Sequence, residues 1–306
     1  MNAPALAIMM GLYNGGQFLP SQLKSFEEQT FTNWTLWASD DGSTDGTILM
    51  LKAFSHSVSQ PVNIIDGPHS GVSANFQAML SSEAIDADYF AFSDQDDIWM
   101  PDKLERAVNW LELQDPDVPA LYCSRTRLID ENEMFIGIST DNTKPPGFAN
   151  ALLQNIASGN TMVFNRRARE LVKSVANQSM VMHDWALYLV VSACGGNVLF
   201  DSRPSVLYRQ HSSNLIGNGM ELSTRLKNFV NVHQGNKIQW NNIHFSLMDA
   251  LGDYITPENK RCLSCFRHIR HSSWINRIRL MKRSGIYHQK FVGTLATWSY
   301  MLFDRL

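Results

Sequence analysis

The chain has 306 residues, 44% hydrophobic and 18% charged, with a net charge of −3 and four cysteines. This is an ordinary globular balance, sufficient for a large core, and the cysteines are too few for a disulfide framework, so a reducing, cytoplasmic compartment is expected. No basic segment followed by a long apolar run opens the chain, and no stretch approaches the roughly 18–20 apolar residues of a membrane span, so neither a signal peptide nor a transmembrane helix is expected.

Taken in order, Ala5–Met10, Trp34–Ser39, Val62–Ile65 and Tyr89–Ser93 read as short apolar strands. Between and after them run helical patterns at Phe18–Gln29, Asp45–Phe54, from a Ser73 cap to about Ser82, and from Pro101 to about Leu113. Such alternation predicts a parallel sheet covered by helices on both faces, with ligands at the carboxyl ends of its strands. Ala120–Ile129 and Met134–Ile138 read as strands around an acidic turn, Thr161–Phe164 and Val198–Phe200 as further strands, and Met182–Ala193 as a helix. Beyond about Met220 the pattern is helical, with amphipathic stretches at 221–234, 237–251, 258–271 and 288–303. Gly217-Asn218-Gly219 breaks the pattern and divides the chain into 1–217 and 218–306.

Charge is distributed unevenly. Residues 1–150 hold 7 Lys+Arg against 21 Asp+Glu, a net −14, and residues 151–306 hold 19 against 8, a net +11. No acidic residue occurs from Asn259 to Phe303. A basic, aromatic-rich end suits an anionic partner, such as a membrane interface or a phosphorylated molecule, or it is a helical cap with its basic face in water. A nucleic-acid binder would account for the basic end but not for the acidic strand ends. Cys262, Cys265, His268 and His271 recur at spacing three. On a straight helix each step turns the side chain by about −60°, so the four do not converge on one ion.

Two carboxylate clusters carry chemistry. Asp40-Asp41-Gly42-Ser43-Thr44-Asp45 follows the second strand. At minimum it is a strand–turn–helix joint, but two adjacent carboxylates exceed what a cap needs, and Asp40 can accept hydrogen bonds from a nucleobase or ribose. Asp94-Gln95-Asp96-Asp97 follows the fourth strand. Three carboxylates within four residues repel one another unless a cation sits among them, and such oxygen ligands suit Mg²⁺ or Mn²⁺ bridging to a diphosphate. No Gly-x-Gly-x-x-Gly follows the first strand, which argues against a dinucleotide site.

Four segments then occur in order at a telling spacing: Leu12-Tyr13-Asn14-Gly15, Asp40–Thr47, Gly71-Val72-Ser73-Ala74-Asn75-Phe76 and Phe92–Trp99. Together they resemble the family 2 glycosyltransferases of the GT-A fold. The resemblance is closest to bacterial rhamnosyltransferase-like members, which share the string Ser-Asp-Gln-Asp-Asp-Ile-Trp, and it spans about residues 5–215. Leu12 departs from the pattern, since many members carry Thr there. The resemblance implies an α/β fold with a Rossmann-like, mostly parallel central sheet flanked by helices and a helical C-terminal region.

It also implies an inverting, metal-dependent transfer of a sugar from a nucleotide donor, dTDP-rhamnose or a UDP-sugar, in bacterial surface polysaccharide or lipopolysaccharide synthesis. The acceptor would be a glycan or a polyprenyl-diphosphate-linked glycan, with peripheral contact at the inner face of the plasma membrane. Tyr13, Asn14, Asp40 and Asp41 then correspond to the nucleotide side, and Asp94 and Asp96 to the two carboxylates of an Asp-x-Asp motif. Asp96 is the foremost metal ligand, with Asp97 assisting. Asp184, at the start of the Met182 helix, corresponds to the catalytic base, with His183 as fallback; from the residues alone Asp184 is equally an N-cap. Arg209 and His211, in the string Tyr208-Arg209-Gln210-His211, suit a diphosphate and its metal. Gly159 and Asn160 correspond to a loop lining the donor sugar. Two alternatives stand beside this reading. One is a nucleotidyltransferase, which usually brings a basic Gly-rich N-terminal loop that Met10–Gly16 lacks. The other is a non-catalytic scaffold, which would predict broken carboxylate motifs.

Overall fold

A computed structural model describes residues 4–211 and 237–302. Its centre is a nine-stranded sheet in the order β3-β2-β1-β4-β8-β6-β9-β5, with β7 paired to β6. The first part of the chain builds β1 (Leu6–Leu12), α1 (Leu19–Glu27), β2 (Trp34–Asp40), α2 (Thr47–Ser57), β3 (Val62–Asp66), α3 (Val72–Ser81) and β4 (Tyr89–Ser93). Strands β3, β2, β1 and β4 are all parallel. In β1 both faces are buried, as a central parallel strand requires. Its Leu6, Ile8, Met10 and Leu12 pack with Leu19, Leu23, Phe26 and Leu51 of α1 and α2. Its Ala7 and Met9 pack on the other face with Phe76 and Met79 of α3.

After β4 come β5 (Ile98–Trp99), α4 (Lys103–Leu111), β6 (Ala120–Ile129), β7 (Phe135–Ile138) and a short α5 (Phe148–Ala151). A 3-10 turn at Gly159–Thr161 leads into β8 (Val163–Asn165), α6 (Arg166–Ser174), α7 (His183–Ala193) and β9 (Asn197–Arg209). β8 lies antiparallel between β4 and β6, while β9 runs parallel to β6, so the second half of the sheet is mixed.

Local boundaries differ from the sequence reading for physical reasons. Pro101 falls in the turn before α4 rather than inside it. Ser73 does not cap α3; Gly71 does, at φ 89°, where only glycine is unstrained. β9 is far longer than Val198–Phe200, because the strand continues through Asp201–Pro204, an irregularity where the register with β6 shifts. α6 has no counterpart among the expected elements. Its run Arg166-Arg167-Ala168-Arg169-Glu170 is polar, but Asn165 caps it, accepting the Ala168 N–H at 3.0 Å.

Every residue of α7 is buried. It lies against α5 and α6 and against the first of the described C-terminal helices. These helices are α8 (Lys237–Leu251), α9 (Pro257–Ile269), α10 (Trp274–Ser284) and α11 (Phe291–Leu302). α8, α9 and α11 match expected stretches, whereas the stretch 221–234 and the Gly217–Gly219 break lie outside the described residues. Leu247, Leu251, Leu263, Phe266, Met281 and Met301 share one core with α3, α6 and α7.

Candidate active site

The register of the parallel strands determines what meets at their ends. Leu12 pairs with Asp40 and Met10 with Ser93, so the segments after β1, β2 and β4 emerge side by side. The chain after β1 is tied to the turn after β2. The Asn14 N–H donates to Ser43 Oγ at 2.9 Å, and Asn14 Oδ1 accepts the Thr44 N–H at 2.8 Å. Asn14 holds φ 48°, a left-handed conformation that asparagine tolerates. One carboxylate oxygen of Asp40 accepts the Ser43 N–H at 3.0 Å; the other is buried without a hydrogen-bond partner. Asp41 turns the other way and accepts the N–H groups of Ser70 and Gly71 at 3.3 and 2.7 Å, anchoring the turn before α3.

The turn after β4 is built from beneath. Asp97 is fully buried; its carboxylate accepts Asn160 Nδ2 at 2.6 Å and the Arg209 N–H at 3.1 Å. Arg209, 1% exposed, donates its Nε to the Asp96 carbonyl at 2.9 Å and reaches the Glu131 carbonyl and the Glu133 carboxylate at 3.3 and 3.0 Å. It also lies over the Phe18 ring, 4.7 Å from its centroid. His211 Nε2 lies 2.8 Å from Asp96 Oδ2. Burial, reinforced by the charges of Asp96 and Asp184, pushes the Asp94 carboxyl up to about 7. Burial, with Asp96 and Asp94, drives Asp97 up as well. Lys103 is buried just behind, 3.5 Å from the centroid of the Trp99 ring. Burial pushes its ammonium well down, against the opposing charge of Asp97.

Asp184 lies in the first turn of α7, where Met182 rather than Asp184 is the N-cap, with its carboxylate accepting the Gly159 N–H at 3.1 Å and the Trp185 N–H at 2.6 Å. Burial raises it to about 6 in spite of these bonds. His183 is stacked on Phe76 at 4.0 Å and meets Phe92 edge-on at 4.9 Å; burial lowers it to about 3, so it is neutral at physiological pH. A Cβ on Gly159 would come within 3.0 Å of His183 Nε2 and 3.3 Å of Asp184 Cβ, which explains the glycine there.

The structure therefore brings Asp94, Asp96, Asp97, Asn160, Arg209, His211, Asp184 and Gly159 to one place, with Tyr13, Asn14 and Asp40 on the flanking side. Asp97 and Arg209 spend their polar groups on the turn itself, and Asp41 serves α3. Gln95, which the sequence reading passed over, binds the Tyr13 backbone through both ends of its amide. Its position between aspartates, as the one neutral residue of the run, was the available signal. Among the described residues no three His, Cys, Asp or Glu side chains converge as a complete metal cage. Asp94 and Asp96, with His211 beside Asp96, are oxygen and imidazole donors of the kind that would hold a Mg²⁺- or Mn²⁺-type cation and let it offset negative charge there.

Residues 7–170 match the sequence profile of glycosyl transferase family 2. The chain belongs to this family and is a glycosyltransferase of the GT-A fold. Among its relatives it is 30% identical over 233 residues to the dTDP-rhamnosyl transferase RfbG of Shigella flexneri, covering 71% of this chain and 77% of that one. It is 32% identical over 112 residues to the putative glycosyltransferase EpsE of Bacillus subtilis, covering 36% and 40%. In fold it resembles S. aureus TarS 1–349 in complex with UDP-GlcNAc, at TM-score 0.53 and 16% identity over 92% of this chain and 93% of that one. It also resembles the mannosyltransferase PcManGT of Pyrobaculum calidifontis in complex with GDP-Man and Mn²⁺, at TM-score 0.53 and 13% identity over 100% and 89%.

Proposed function

We propose that this glycosyltransferase moves a sugar, with inversion, from a nucleoside-diphosphate donor to a hydroxyl of a glycan or polyprenyl-diphosphate-linked acceptor. The pathway would be bacterial surface polysaccharide synthesis. The observation that carries the reading is Asp184, a buried carboxylate raised to about 6 beside the strand-end aspartates. A base with a pKa near working pH accepts a proton efficiently while remaining ionised. The N–H groups of Gly159 and Trp185 orient the carboxylate, so it meets the acceptor hydroxyl in one direction. The unpaired oxygen of Asp40 offers an acceptor to a nucleobase N–H, with Tyr13 and Asn14 beside it. A divalent cation held at Asp96 and His211, with Asp94 alongside, would offset charge on the departing diphosphate. Arg209 and Asp97 hold that turn in place, while Asn160 ties the loop at Gly159 to it.

The identity with a dTDP-rhamnosyl transferase supports dTDP-rhamnose as donor. Among the described residues no helix is long and apolar enough to cross a membrane, and a lipid-linked acceptor would bring the enzyme to the membrane surface peripherally. The test is Asp184→Asn. Transfer should fall by about 10³-fold, with binding of dTDP or UDP in Mn²⁺ unchanged. Turnover within tenfold of wild type would remove Asp184 from the role of base.

A further inference from the structure

We infer that Gln95 is a positioning residue that makes the nucleotide-side and diphosphate-side turns bind their ligand as one unit; this rests on the donor reading above. Its side chain leaves the carboxylate turn and completes two hydrogen bonds with one residue across the cleft. Oε1 accepts the Tyr13 N–H at 2.9 Å, and Nε2 donates to the Tyr13 carbonyl at 2.8 Å. The amide thus imitates a strand partner for a segment that has already left the sheet. The fit is close. A Cβ on Gly15 would lie 2.4 Å from Gln95 Oε1 and 2.6 Å from its Cδ, so the clamp and the glycine require each other. Residue 15 needs no left-handed backbone, since its φ lies outside that region.

The other side of the same segment is fastened by Asn14 to Ser43 and Thr44 in the turn that carries Asp40. Residues 13–15 therefore form a strap between Asp40 and Asp94–Asp97. Tyr13 and Asn14 are both exposed, and Tyr13 keeps 57% of its surface in solvent, so the strap adds little to the core. What Gln95 supplies is the relative placement of two turns that would contact opposite ends of one nucleotide. A glutamate here has no donor for the Tyr13 carbonyl, and an alanine has neither group.

The test combines binding with a double-mutant cycle. Titrations of dTDP and UDP are run in the presence of Mn²⁺ on wild type, Gln95→Ala, Gly15→Ala and the double variant. Mn²⁺ affinity without nucleotide is measured by electron paramagnetic resonance. Gln95→Ala should weaken nucleotide binding roughly tenfold, the loss of two ordinary hydrogen bonds, and leave affinity for Mn²⁺ alone within about twofold. Gly15→Ala should weaken it comparably by itself, but by less than about twofold in the Gln95→Ala background. Additive effects of the two substitutions, or equal nucleotide affinity in Gln95→Ala and wild type, would overturn the inference and leave the donor reading intact. Parallel losses of Mn²⁺ and nucleotide affinity would also overturn it, because they would mark a general disordering of the turn. A wild-type protein that binds neither nucleotide would remove the donor reading, and this inference with it.

Discussion

Asp184 is buried where its charge is poorly solvated, and this sets both its chemistry and its contribution to stability. Its carboxyl is raised from the usual 3.8 to about 6, with burial as the cause. The folded state therefore holds a proton that the unfolded state releases between about pH 4 and 6. The contribution to stability is present below pH 4 and is lost as pH rises through 6, by about 3 kcal/mol. In metal-free protein, the stability difference between wild type and Asp184→Asn should change by that amount between pH 4 and 7, moving in favour of the variant. Urea denaturation across this range reads the slope, and a flat difference would contradict the burial argument. In activity the same group predicts an acid limb at or below pH 6, since a neighbouring cation lowers a carboxyl. That limb should be absent from the residual activity of Asp184→Asn. His183 offers no such limb, because burial between Phe76 and Phe92 keeps it neutral.

Between elements, β9 and the β6–β7 hairpin together act as a buttress for the carboxylate turn. Arg209 ends β9 and distributes its guanidinium among the Asp96 carbonyl, the Glu131 carbonyl and the Glu133 carboxylate. Arg209→Met should cost about 2 kcal/mol, the scale of buried carbonyls left unpaired, and reduce transfer more than tenfold by loosening Asp96. Glu133→Gln should cost well under 1 kcal/mol, because the Glu133 side chain is half exposed at 49% and solvent screens the pair. Denaturation midpoints compare the two variants directly; equal losses would show that the ion pair, not the carbonyl contacts, holds the turn. The sequence could not display this buttress. Arg209 and Asp96 are 113 residues apart, and the Arg203-Pro204 pair in mid-strand disguises the length of β9.

At the scale of the whole molecule, the basic end of the chain is partly core and partly surface. Leu263, Phe266, Ile269, Met281 and Met301 of the C-terminal helices enter the shared core. Trp274, Phe291 and Val292 do not, and stand 65%, 73% and 75% exposed in a stretch with no acidic residue. Apolar side chains among lysines and arginines suit the surface of an anionic bilayer, where each basic residue near the surface adds about 1 kcal/mol. The expected outcome is co-sedimentation with phosphatidylglycerol vesicles at low salt, weakened by 0.5 M salt or so as screening sets in, and reduced by Phe291→Ser with Val292→Ser. Absence of binding at low salt would leave these helices as a cap on the catalytic unit.

What the sequence determined by itself was the local and ordered part of this protein. The strand–helix alternation through β4, the carboxylates at the ends of β2 and β4 and the aspartate opening α7 follow from short-range patterns, and their order along the chain indicated the family. Tertiary structure decided which of these groups stay free of the scaffold and which hold the turns together. Asp97 and Arg209 are consumed beneath the turn, Asp41 serves α3, and Gln95 links two turns through the Tyr13 backbone. The reason is physical: a polar side chain's role depends on which backbone groups burial leaves in need of a partner, and those partners come from strands and turns far apart in the chain.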